Sequence, residues 1–77
     1  MIIVNKITNV IVNTQQIAFF KLKKQSGVWR IICKTVTGHE EIISASDDKE
    51  RSETDFKDQW IAMMTALYNG EKAYVFE

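Results

Sequence analysis

Two alternating runs, QIAFFKLKK at residues 16–24 and VWRIICKTV at residues 28–36, flank the pair Ser26-Gly27. No other feature limits the possible folds as tightly. Side chains alternate between the two faces of a strand. In the first run Ala18, Phe20 and Leu22 share one face, and Phe19, Lys21 and Lys23 share the other. In the second run Trp29, Ile31, Cys33 and Thr35 share a face, and Val28, Arg30, Ile32 and Lys34 lie on its reverse. A two-residue loop sets Lys24 opposite Trp29, Leu22 opposite Ile31 and Phe20 opposite Cys33. That register gathers one apolar set. A three-residue loop sets Leu22 against Arg30 and mixes the faces, so burial of one face selects an even loop length.

The same register leaves an outer face with Lys23 opposite Arg30, Lys21 opposite Ile32 and Phe19 opposite Lys34. Like charges directly opposite are unfavourable by a few tenths of a kcal/mol. An anionic partner offsets Lys23 and Arg30, and so does Glu40 or Glu41 on the next strand. A tight turn over Thr37–Glu40 sets Lys34 beside Ile43 and Ile32 beside Ala45. Phe19, Lys21, Lys23, Arg30, Ile32, Lys34 and Ile43 are therefore the candidate binding residues. Such a mixed basic and apolar surface fits single-stranded DNA or RNA, and it equally fits a protein partner or a second copy of the chain.

The other elements follow from shorter signals. Residues 2–4 and 7–12 are rich in β-branched side chains and read as strand, one or two in number. Residues 40–46 read as the next strand. The segment 47–53, DDKERSE, has no apolar residue and reads as a solvated, mobile loop. Ser52 is a helix N-cap with Asp55 three residues on, and Gly70 is the helix stop. Between them Phe56, Trp60, Met63, Met64 and Leu67 form a buried stripe that Ile61 and Tyr68 widen. Residues 72–76 read as a short final strand returning to a sheet edge. The expected fold is one α+β domain over residues 1–77: an antiparallel sheet of four to five strands, with one helix at about 53–69 on one face.

Composition narrows the function. The 77-residue chain has zero formal net charge, but residues 1–39 hold six bases and no acid, while residues 40–77 hold ten acids and four bases. Such asymmetry suits a polyanion partner, a self-complementary surface, or two halves that neutralise each other within the fold. A domain this small buries about 60–65% of its unfolded surface, and association is a common remedy for that marginal core. The single cysteine, Cys33, removes any need for an oxidising compartment, and no apolar run spans a membrane, so the expected location is the cytoplasm.

Chemistry finds little support. His39 lies in a turn beside Glu40 and Glu41. Cys33 falls mid-strand on the core face, where it acts as a small hydrophobe. The acids of 47–53 lack the glycine and ligand spacing of a calcium loop, and Lys49 and Arg51 dilute them. The three glycines each serve a turn or a cap. No catalytic residue, metal site or cofactor is expected. The basic and aromatic positions Phe19, Lys21, Lys23, Arg30 and Lys34, on strands that precede a helix, resemble the free sheet face of single-stranded-DNA-binding coactivator and Whirly-type proteins. The order of strands and helix is also similar to small bacterial pleckstrin-homology-like domains. This chain departs from both in placing a strand after the helix. The primary reading is a non-enzymatic, self-associating protein-interaction module. The alternative is a single-stranded nucleic-acid binder.

Overall fold

The computed structural model describes residues 1–77 and is an α+β fold of six strands and one helix. The strands are β1 (Ile2–Asn5), β2 (Val10–Asn13), β3 (Ile17–Gln25), β4 (Val28–Thr35), β5 (Glu40–Ala45) and β6 (Ala73–Phe76), with α1 (Glu53–Tyr68) between the last two. They form two three-stranded sheets, β2-β1-β6 and β3-β4-β5, rather than one sheet of four to five strands. The division falls at Thr14–Gln16, a single 3-10 turn opened by Asn13, whose side chain accepts a hydrogen bond from the Gln15 amide. β2 and β3 do not pair across that turn. The last strand, β6, is an edge strand as expected, but it runs parallel to β1.

The central hairpin forms in the expected register, with Lys24, Leu22 and Phe20 opposite Trp29, Ile31 and Cys33. Ser26 and Gly27 both have positive φ, 52° and 78°. Two left-handed residues make a type I′ turn, whose twist matches that of the flanking strands.

One residue displaces the next pairing. Ile31 pairs with Ser44, but Ile32 pairs with Ile42, so Ile43 is the extra residue of a β-bulge. The expected neighbours Lys34–Ile43 and Ile32–Ala45 do not form. Lys34 instead faces Glu40, and Arg30 faces Ala45. A bulge re-aims side chains locally. Alternation from the Lys34–Glu40 pair, three residues short of the expected one, puts Ile42 outward at 50% exposure and Ile43 in the core at 1%; the bulge then lets Ser44 face inward as well.

Helix α1 is capped at both ends as read. Ser52 Oγ accepts from the Asp55 amide at 3.1 Å. At the C-terminus Gly70 adopts φ 71°, with Glu71 N–H donating to Ala66 and Gly70 N–H to Leu67. Those two bonds are a Schellman motif. The buried face is narrower than expected, consisting of Phe56, Met63 and Ala66. Ile61 and Tyr68 do not widen it, because they point to solvent at 58% and 91% exposure. The core gathers Ile3, Val12, Ile31, Cys33, Ile43, Phe56, Met63 and Phe76. It draws on both sheets and the helix, so each sheet buries one face and leaves the other open. No helix is long and apolar enough to cross a membrane.

Segment 47–53 also departs from its reading as a mobile loop. Asp48 and Arg51 pair at 2.6 Å with side chains 8% and 6% exposed. Asp48 Oδ2 accepts from the Ala45 amide, Ser44 Oγ and, more distantly, Asn5 Nδ2. Arg51 Nη2 also donates to the Ala45 carbonyl at 2.8 Å, and the guanidinium lies 5.0 Å from the Phe56 ring centroid. Asn5, fully buried, donates to the Ile43 carbonyl at the bulge and accepts from the amides of Ile7 and Thr8. One polar network thus ties β1, the bulge of β5 and the approach to α1.

Candidate functional site

Two open sheet faces are the candidate surfaces. On β3-β4-β5 the outer face holds three cross-strand rows: Lys23–Arg30–Ala45, Lys21–Ile32–Ile42 and Phe19–Lys34–Glu40. Six of the seven expected binding residues therefore share this face. Ile43 does not, because pairing Lys34 with Glu40 sets the alternation of β5 so that Ile43 faces inward. Ile32 points outward but is only 8% exposed. Its cross-strand neighbours Lys21 and Ile42 flank it, and it serves as the floor of an open groove of about 670 Å³.

The charges of this face are only partly matched. Glu40 reaches Lys21 at 3.8 Å, while Glu41 takes His39 at 3.0 Å. Glu40 is therefore engaged at the end of the face away from the hairpin turn, and Glu41 lies opposite Cys33 in the ladder. Lys23, Arg30 and Lys34 form no salt bridge. Arg30 makes one long contact, to Gln25 Oε1 at 3.5 Å. Lysines on an edge strand also discourage accidental strand pairing, and β3, with three of them, is an edge.

The reverse side of the hairpin meets the helix through Trp29. Lys57 Nζ lies 4.5 Å and Lys24 Nζ 5.5 Å from its ring centroid. Lys57 also pairs with Glu53 at 3.1 Å and holds that carboxyl below its ordinary value. The indole nitrogen itself has no partner within hydrogen-bonding geometry. This cluster fastens α1 to the hairpin and leaves Lys24 facing the helix rather than the groove.

The outer face of β2-β1-β6 is different in kind. Its rows are Asn13–Ile2–Ala73 and Ile11–Val4–Val75. Ile11 is 70% exposed, and Ile2 and Val75 are each about two-fifths exposed. The face carries no charge until its end, where Lys6 and Glu77 pair with each other at 3.5 Å. The sequence reading did not single it out. Its signal was present in the β-branched runs at 2–4 and 10–12, but the parallel partner at 73–76 lies too far along the chain for local pattern to reveal.

The reactive groups have little to work with. No three His, Cys, Asp or Glu side chains come together as metal ligands. Cys33 is buried, and its thiol is pushed up first by that burial and then by the nearby Glu41 carboxylate. Alkylation of Cys33 in the folded protein is expected to run at least about a hundredfold slower than for a free thiol, and to rise to the free rate in urea. The raised value makes the thiol's contribution to stability complete below the ordinary thiol range. That contribution is lost as pH climbs through the folded value, since unfolding then releases a proton. Rapid native labelling at neutral pH would contradict this placement.

No family model, curated protein or solved structure matches this chain.

Proposed function

We propose that this protein is a non-enzymatic interaction module that associates with a second copy of itself through the outer face of β2-β1-β6. The row Ile11–Val4–Val75 carries the reading. An apolar centre with a polar rim is the usual anatomy of an interface, and here Asn13 and the Lys6–Glu77 pair supply the rim. Two uncharged faces can meet about a two-fold axis without opposing like charges. The β3-β4-β5 face lacks that property, because self-docking there sets Lys21, Lys23, Arg30 and Lys34 of one copy near those of the other.

The extent of the face sets the strength. Three strands about 4.8 Å apart and four residues at about 3.3 Å each give a footprint of about 200 Å². A stable complex covers about 800 Å² on each partner. The association is therefore weak and concentration-dependent unless flanking turns join it. Sedimentation equilibrium from micromolar to millimolar protein tests this. Wild type is expected to show a monomer–dimer equilibrium. Ile11→Lys is expected to weaken it tenfold or more, about 1.4 kcal/mol, while changing monomer stability by less than about 0.5 kcal/mol. A monomer at every concentration would end the proposal.

A further inference from the structure

We infer that the outer face of β3-β4-β5 is a binding surface for single-stranded nucleic acid, independent of the self-association face on the other sheet. The inference starts from a mismatch in the charges. Lys23 and Arg30 stand directly opposite each other, and neither has a carboxylate partner. Neither acid of β5 reaches them: Glu40 lies in the Lys34 row and pairs with Lys21, and Glu41 lies opposite Cys33 and pairs with His39. The like-charge pair is thus retained without an internal counterion, and an anion seated over it removes the repulsion.

The rest of the face says which anion. Phe19 is 44% exposed and sits opposite Lys34. Lys23 lies four positions beyond Phe19 along β3, about 13 Å at strand rise. The surface therefore offers a cation pair at one end, a cation beside an exposed ring at the other, and an apolar floor of Ile32 and Ile42 between them. A polymer with fixed charge on its backbone and a flat ring on every unit satisfies all three features. Phosphates meet Lys23, Arg30 and Lys34, and a base stacks on Phe19. An acidic peptide satisfies only the cations by necessity. Glu40 and Glu41 also fix the path. Their carboxylates repel a phosphate chain at the start of β5, so the strand runs along β3 and β4.

The site is short, and the net charge of zero supplies no long-range attraction. Binding is therefore modest and strongly salt-dependent. Three phosphate contacts on a single strand give a slope of log K against log salt of about −2.

Fluorescence anisotropy with a labelled oligothymidylate about a dozen nucleotides long, at about 20 and about 150 mM salt, reads this out, with polyglutamate as competitor. Wild type is expected to bind at low salt with that slope. Lys23→Glu with Arg30→Glu is expected to weaken binding more than tenfold. Phe19→Ala is expected to weaken it severalfold with the slope unchanged, since stacking releases no counterion. Arg30 is half-buried, so the exposed Lys23→Glu alone, checked for folding by circular dichroism, keeps the test open if the double variant does not fold. Absence of binding at low salt overturns the inference. So does full competition by polyglutamate together with indifference to Phe19→Ala, which would assign the face to acidic proteins instead.

Discussion

Replacing Asp48 by alanine is expected to destabilise the fold by about 3–5 kcal/mol, the usual loss when one member of a buried ion pair is removed. A chain of this length has a total stability of roughly 4–12 kcal/mol, so the variant should be largely unfolded or close to it. The reason lies in what remains. The Arg51 side chain is 6% exposed and would keep its charge with only the Ala45 carbonyl and Ser44 Oγ as partners. Its Nε and Nη1 already lack hydrogen bonds. The Ala45 amide would lose its acceptor as well. Urea unfolding followed by circular dichroism measures the loss. The double variant Asp48→Ala, Arg51→Met is expected to recover part of it, because the stranded charge goes too, and the cycle isolates the coupling between the pair. A single-variant loss below about 1 kcal/mol would mean that water reaches this pair in solution.

Phe76→Ala is expected to cost about 3–5 kcal/mol, the range for emptying a large aromatic site in a core. Phe76 is fully buried and packs edge-on against Tyr74 with ring centroids 4.9 Å apart. Its strand is only four residues long, yet it brings that ring into the same cluster as Ile3 and Phe56. Tyr68→Ala is the matched control. Tyr68 is 91% exposed, and its loss should change the urea midpoint by an amount worth less than about 0.5 kcal/mol. A Phe76→Ala loss similar to the control would show that β6 is not firmly docked.

These two sites mark the boundary of what the sequence reveals. The hairpin register was legible because one face had to be apolar, and only an even loop length allowed it. The caps of α1 were legible because Ser52 and Gly70 act within a few residues of the helix ends. The register of β5 was not, since EEIISAS alternates acceptably in either frame, and the contacts that accompany the observed one include Asn5 donating to the Ile43 carbonyl from 38 residues away. Segment 47–53 was misread for a related reason. Its charges look solvated one by one, and only the fold brings Asp48, Arg51, Ser44 and Asn5 into one buried set. Ile61 and Tyr68 fit the helical period but lie beyond the width of helix that two small sheets can cover. Six of the seven candidate binding residues were legible because strand alternation places them without tertiary information. The apolar face of β2-β1-β6 was not, because it is completed by β6.

The parallel pairing of β1 with β6 has a consequence for how the chain assembles. Ile2 pairs with Ala73, about seventy residues away, whereas the β3–β4 hairpin closes across two residues. On a logarithmic loop-closure scale the long pairing costs about 3 kcal/mol more to initiate. The hairpin can therefore form on the microsecond scale, and the β1–β6 ladder comes late. Ile2, Ile3 and Val4 pair early with β2 on one side, and only the other edge of β1 waits for β6. Until then β1 keeps one open edge lined by apolar side chains, and the docking of β6 closes it. Any delay in docking β6 thus leaves that edge of β1 open to misassembly.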